Sequence, residues 1–272
     1  MSANRPALLV TATDRSHVVI KQEVQVLQEY VDMNEYIANV TMKPLSADLT
    51  YLKQLLTANG MWYKMEKADG IMNIEDAKNK AAAGDTTDVR AIAAAFSAPD
   101  GLEALGRIIA ADLWSGNNDR FTPGGTGGNG YQVCQNPGNV LLATQGSLKP
   151  IGLDAYEAMG VFRNYNATIA QLEGGDVWGG RLLANTPGAR QQLKAFCELV
   201  IADLETLLGP RNRRGLGRLG RTSRLPSNAV TRLQHGVISG SLPIRAKMRQ
   251  LAGRANPPVG LIDRLTIVGW WP

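Results

Sequence analysis

Histidine and cysteine are almost missing from this chain: 272 residues hold only His17, His235, Cys134 and Cys197. Two cysteines cannot staple a disulfide scaffold, and two histidines argue against a His-built metal site or a His-dependent triad. No apolar run approaches the roughly 18 residues that a membrane-spanning helix requires. Residues 1–6 do not begin a basic stretch followed by an apolar run, so no secretory signal is expected. The location these absences imply is a reducing cytosol, either the protein's own or that of a host cell receiving it as an effector. Acidic residues are also missing locally. From Thr206 to Ile262 there is no Asp or Glu, whereas Arg or Lys stands at 211, 213, 214, 218, 221, 224, 232, 245, 247, 249 and 254.

What is present suits a folded core. Hydrophobic residues make up 44% of the chain, and the net charge of +5 comes mostly from that one basic tail. Two apolar runs, Ala7 to Val10 and His17 to Ile20, flank the polar turn 13–16 and predict a hairpin ending near Glu23. Apolar residues at three- and four-residue steps predict a helix from Val26 to Val40, and a short helix follows from Ser46 to Leu56. Met61 to Met65 reads as a strand that stops at Asp69-Gly70. Residues 76–95 read as helical. Ser97-Ala-Pro-Asp100 resembles a capped start for a helix whose face carries Leu102, Leu105, Ile108, Ile109 and Leu113, and which runs out at Gly116. Strands at Val140–Leu142 and Ile151–Leu153 bracket a turn at Gln145-Gly146. A long helix, Ala189 to Leu208, stops at Gly209-Pro210. The terminal Trp270 and Trp271 are expected to dock on the preceding helices.

Chemistry concentrates between Gly106 and Glu157. Asp119 and Arg120 follow a helix, Asn139 opens the second hairpin and Asp154 closes it. Oxygen ligands such as Asn139 and Asp154 suit Mg²⁺, which is commonly held by one or two carboxylates plus substrate phosphates. Asp119 is then free to orient or deprotonate an attacking hydroxyl. The plain alternatives are an exposed turn with a surface ion pair at Asp119-Arg120 and a simple turn residue at Asp154. The glycine-rich residues 122–130 have no lysine at Walker spacing and read as an inserted loop.

Asp119-Arg120-Phe121, Asn139 and Asp154 together resemble the catalytic loop and metal-binding hairpin of the protein-kinase-like superfamily, in its atypical phosphatidylinositol 3-/4-kinase-like branch. The resemblance covers about Ala7 to Tyr156. It implies an α+β, two-lobed kinase-like fold, with a reduced N-lobe over residues 1–68 and a mostly helical C-lobe over residues 69–272. It further implies that Asp119 is the catalytic aspartate and that Asn139 and Asp154 hold magnesium. Val18 to Lys21 looks like the strand whose lysine grips the ATP phosphates, with Glu29 or Glu35 as its carboxylate partner; as an edge-strand lysine it has a structural reading too. Met65, Glu66, Lys67 and Ala68 look like the hinge that binds adenine. The chain departs from that pattern in four ways, one of them the unusually long insertion between Asp119 and Asn139. Residues 1–16 contain no glycine for a phosphate-covering loop, Phe121 stands where histidine is usual, and Ala155-Tyr156 follows Asp154.

The implied activity is Mg²⁺-dependent transfer of the ATP γ-phosphate to a hydroxyl of a protein or an inositol lipid. The alternatives are a catalytically inactive pseudokinase acting as a binding module, or AMP transfer on the same fold. The Arg-rich segment 211–254 is either an ordinary solvated segment or a candidate surface for an anionic lipid or an acidic protein. Nucleic acid is less favoured, because no aromatics are interleaved with the arginines.

Overall fold

The computed structural model describes residues 7–11, 17–23, 42–44, 61–66, 69–117, 119–123, 130–152, 179–209, 211–212, 221–222, 224–257 and 261–272. The chain divides into two units, Met1–Asp69 and Gly70–Pro272, and its architecture is mixed α+β.

In the first unit the two apolar runs form the expected hairpin. Strand β1 (Ala7–Thr11) pairs antiparallel with β2 (His17–Glu23), Leu9 opposite Val19 and Ala7 opposite Lys21. Strand β4 (Met61–Glu66) pairs with the other edge of β2, setting Tyr63 opposite Lys21, and β3 (Met42–Pro44) closes the order β1-β2-β4-β3. The abundance of β-branched and aromatic side chains in β2 and β4 is what a pleated sheet favours. The helices expected over residues 26–40 and 46–56 lie outside the described residues.

The second unit contains six α-helices among the described residues and a three-stranded antiparallel sheet. Residues 76–95 do not form one helix. They belong to α1 (Ile74–Ala82) and α2 (Thr87–Ser97), separated where Gly84 turns to a φ of 101°. The next start also differs from the sequence reading. Ser97 is the last residue of α2, its hydroxyl donating to the Ala93 carbonyl at 2.8 Å. Pro99 has no N–H and disfavours helical geometry at the residue before it; Ala98 is accordingly extended, with ψ 154°. Helix α3 (Gly101–Ser115) therefore begins after Asp100, and it buries Leu102, Leu105, Ile108, Ile109 and Leu113 as its spacing predicts.

Strands β5 (Met72–Asn73), β6 (Leu141–Gln145) and β7 (Ser147–Ile151) form the sheet, with Gln145 opposite Ser147 across Gly146. The hairpin extends further toward its turn than the apolar residues alone suggested. Pro150 is accommodated because β7 is an edge strand. A short strand pair follows, β8 (Arg211–Asn212) with β9 (Arg221–Thr222).

Helix α4 (Pro187–Leu208) opens on Thr186, whose hydroxyl accepts the Ala189 N–H at 3.2 Å, and closes at Gly209. Helices α5 (Ala229–Ala252) and α6 (Leu261–Ile267) complete the unit. The core is densest where α3 crosses α5, and three glycines set that crossing. A Cβ on Gly236 would lie 2.4 Å from the Glu103 carbonyl oxygen, one on Gly240 would lie 2.7 Å from the Arg107 Cα, and one on Gly106 would lie 2.5 Å from the Leu233 carbonyl oxygen. The two backbones thus pack directly against each other. Beyond α6, Trp270 is buried and stacks on Trp114 of α3, with centroids 5.0 Å apart and an interplanar angle of 14°. No described helix is long and apolar enough to cross a membrane.

Candidate functional site

The loop after α3 is fixed from beneath by a buried carboxylate. Gly116 caps the helix in the left-handed region, φ 72°, which a residue without Cβ enters at little cost. The chain then turns back over Asp112. The Asn117 N–H donates to the Asp112 carbonyl at 2.8 Å, and the Asn117 side-chain amide donates to Asp112 Oδ1 at 2.8 Å. Arg120 reaches the same carboxylate with two groups, Nε to Oδ2 at 2.7 Å and Nη2 to Oδ1 at 2.6 Å. Arg120 is 1% exposed and Asp112 3%. This is a desolvated fork-to-fork pair rather than a surface ion pair, and its planar geometry fixes the loop in one register.

Asp119 sits between these anchors. Its N–H donates to Asn117 Oδ1 at 3.0 Å, and its side chain is half-buried. Asn139 donates from Nδ2 to Asp119 Oδ2, joining two residues twenty positions apart. Asn139 is itself placed by the short 3₁₀ turn Pro137–Asn139, in which the Asn136 side chain accepts the Gly138 N–H at 3.1 Å and the Asn136 carbonyl accepts the Asn139 N–H at 3.0 Å.

The strand-like segment leading to that turn is held on both sides. Thr122 N–H donates to the Val133 carbonyl and Gln135 N–H to the Arg120 carbonyl, each at 2.9 Å, around a bridge between Phe121 and Cys134. From below, Asp203 of α4 accepts the N–H groups of Gln132, Val133 and Cys134, all at 2.8 Å. Asp203 is buried, so its carboxylate exchanges water for three peptide donors, a charge-assisted set. Tyr131, at the start of the segment, accepts a hydrogen bond from Lys78 Nζ at 2.5 Å.

The structure therefore brings together two of the residues singled out from the sequence, Asp119 and Asn139. Asp154 lies outside the described residues, as do Glu29, Glu35, Lys67 and Ala68. Lys21, Met65 and Glu66 are described as backbone in β2 and β4 and not beyond that. Among the described residues no group of three His, Cys, Asp or Glu side chains could hold a metal ion. Asp112 and Asp203, the carboxylates that position the site, were not singled out from the sequence. Both interrupt apolar helix faces: Asp112 follows Ile108 and Ile109 by four and three residues, and Asp203 stands three after Val200 and four before Leu207. A carboxylate at core spacing was the available signal.

No family model, curated protein or solved structure matches the chain.

The thiols take no part. Cys134 and Cys197 are buried, and burial pushes both up to about 12, with the nearby Asp203 charge adding to the effect at Cys134 and Glu198 adding to it at Cys197. Such groups remain protonated and unreactive near neutrality.

The basic tail proves partly structural. Arg224 donates to the Gly209 carbonyl at 2.9 Å, and Arg232 to the carbonyls of Ser97, at 3.1 Å, and Ala98. Arg249 donates to the Trp270 carbonyl and, beyond the tail, Arg264 donates to that of Trp114. Arg264 also lies with its guanidinium carbon 4.7 Å from the centroid of the Trp114 ring. These carbonyls are at or just beyond the C-terminal ends of α4, α2, α6 and α3, where helices leave acceptors unsatisfied and carry negative partial charge. Positive charge at those ends is thus part of how the helices are held. Of the remaining tail cations, Arg213, Arg214 and Arg218 lie outside the described residues.

Proposed function

We propose that the chain is a Mg²⁺-dependent phosphotransferase of kinase-like, two-lobed architecture, moving the γ-phosphate of ATP to a hydroxyl of a protein or an inositol lipid. The observation that carries this reading is the hydrogen bond from Asn139 to Asp119, on a loop locked by the buried Arg120–Asp112 pair. It supports the reading because the two residues belong to a motif of catalytic aspartate and downstream asparagine, and they meet although a glycine-rich insertion separates them. The order of Lys21, the hinge residues 65–68, Asp119, Asn139 and Asp154 along the chain supports it as well.

In this reading Asn139 engages Asp119 Oδ2, which leaves Oδ1 to orient the acceptor hydroxyl and take up its proton. Lys21, fixed by Glu29 or Glu35, neutralises phosphate charge, and backbone groups of residues 65–68 bind adenine. Positioning and charge neutralisation carry most of phosphoryl transfer. The oxygen donors of Asn139 and Asp154 have the hard character that magnesium prefers, and they would hold it. The ion supplies further neutralisation of the phosphates.

The test is transfer of label from ATP to lysate proteins and inositol lipids in the presence of Mg²⁺. Asp119→Asn keeps an acceptor for the Asn139 amide but abolishes the base, and it should lower transfer by about 10²–10⁴-fold. Label carried on the γ-phosphate and not on the α-phosphate distinguishes phosphorylation from AMP transfer. No transfer by the wild-type protein, or equal transfer by Asp119→Asn, overturns the proposal.

A further inference from the structure

A concavity lies in the second unit, where the 3₁₀ turn Gly179–Leu183, the first turns of α4 and the middle of α5 meet. It is a cleft of about 190 Å³ whose walls include Leu193, Ile238, Leu242 and Trp270. Ile238 and Leu242 are 37% and 59% exposed, so apolar surface faces an open depression instead of a packed neighbour. Two guanidinium groups stand in the same lining, Arg190 of α4 and Arg245 of α5, and no Asp or Glu does. Among the described residues, Arg190 donates to the neutral Asn185 side chain, at 2.6 Å, and neither Arg190 nor Arg245 makes an ion pair. The lining hydroxyl, Ser241, is already committed to the Ile238 carbonyl at 2.7 Å.

We propose that this cleft binds a small amphipathic carboxylate, its acid group between Arg190 and Arg245 and its hydrocarbon body against Leu193, Ile238, Leu242 and the Trp270 ring. The chemistry of the lining selects both halves of such a ligand. An arginine pair that no described carboxylate engages matches a planar, bidentate anion. Exposed leucine and isoleucine side chains are covered only by an apolar body. The volume is below the roughly 300–1,000 Å³ of sites for drug-sized ligands, which limits the occupant to a short chain or a single ring. The site is separate from the Asp119–Asn139 pair and does not depend on the phosphotransfer reading.

Octanoate is the probe, with octanamide as its uncharged counterpart. Calorimetric titration of the full chain should show one octanoate bound per protein and binding of octanamide at least tenfold weaker. Arg245→Gln and Arg190→Gln, both at exposed or half-exposed helix positions that leave the core intact, should each weaken octanoate at least tenfold. Asp119→Asn should bind it as the wild type does. Octanoate binding that raises the thermal midpoint of the wild type and not of Arg245→Gln would support the site independently. Equal binding of the acid and the amide, unchanged binding in both arginine variants, or no binding of octanoate would each overturn it.

Discussion

Replacing Arg120 with methionine tests whether the loop bearing Asp119 is held by a desolvated ion pair. The substitution keeps a long apolar stem but leaves the Asp112 carboxylate, 3% exposed, without its two guanidinium donors. Breaking one side of a buried pair costs about 3–5 kcal/mol, a large part of the roughly 5–15 kcal/mol that holds a domain together. Removing both charges, in Asp112→Leu with Arg120→Met, leaves no buried charge. The buried side-chain amide of Asn117 then loses its acceptor, at a cost of about 1–3 kcal/mol. The double variant should therefore be more stable than Arg120→Met alone by about 2 kcal/mol, so the two substitutions are not additive. The assay is urea unfolding followed by tryptophan fluorescence and circular dichroism, comparing midpoints at constant m. A cost below about 1 kcal/mol for Arg120→Met, the value of an exposed pair, would refute the reasoning. So would additive costs.

Three further perturbations probe the surrounding framework. Gly236→Ala should destabilise by about 1–3 kcal/mol because its methyl group meets the Glu103 backbone, whereas Gly188→Ala, with open space around it in the first turn of α4, should be neutral or stabilising by up to about 1 kcal/mol; urea midpoints moving in the same direction would contradict the close crossing. Asp203→Asn offers one acceptor oxygen where three N–H groups now converge, so amide exchange at residues 132–134 should accelerate and label transfer should fall; unchanged exchange there would deny the clamp. Because both thiols are held up to about 12 against an ordinary value of 9.0, the folded protein keeps protons that the unfolded chain loses, so their contribution to stability declines as pH rises from about 9 toward 12; the check is a urea midpoint that falls less over that range in Cys134→Ala/Cys197→Ala than in the wild type.

Local pattern made much of this architecture legible. The β-branched run His17 to Ile20, the turn at Gly146 and the apolar stripe from Leu193 to Leu207 each declare their element through side-chain period or backbone freedom, and the structure forms them. Where the reading failed, two local signals competed. Ser97-Ala-Pro-Asp has the composition of a helix start, yet the same proline ends the helix before it by forcing Ala98 out of helical geometry. Residues 76–95 are helical over most of their length as expected, and Gly84 divides them into two helices.

The candidate site was half legible for a different reason. Asp119 and Asn139 could be singled out together in advance because they resemble parts of a motif, and such a resemblance is read by order along the chain. The groups that hold them are not ordered that way. Asp112 and Asp203 act from helix faces 7 and 84 residues away from Asp119, one toward the N-terminus and one toward the C-terminus, and each is visible only as a carboxylate where an aliphatic residue belongs. Such a position is costly unless donors converge on it, so its presence in a core stripe already demands partners that the stripe cannot supply. The same reasoning applies to the tail. A run of arginines without acidic residues suggests an anionic partner, but a carbonyl at a helix end is also an acceptor lacking a donor, and Arg224, Arg232 and Arg249 of that run are used there, as is Arg264 beyond it. Only cations left over after the helix ends are satisfied can recognise another molecule, and Arg190 and Arg245 meet that condition at a place where apolar surface is also left uncovered.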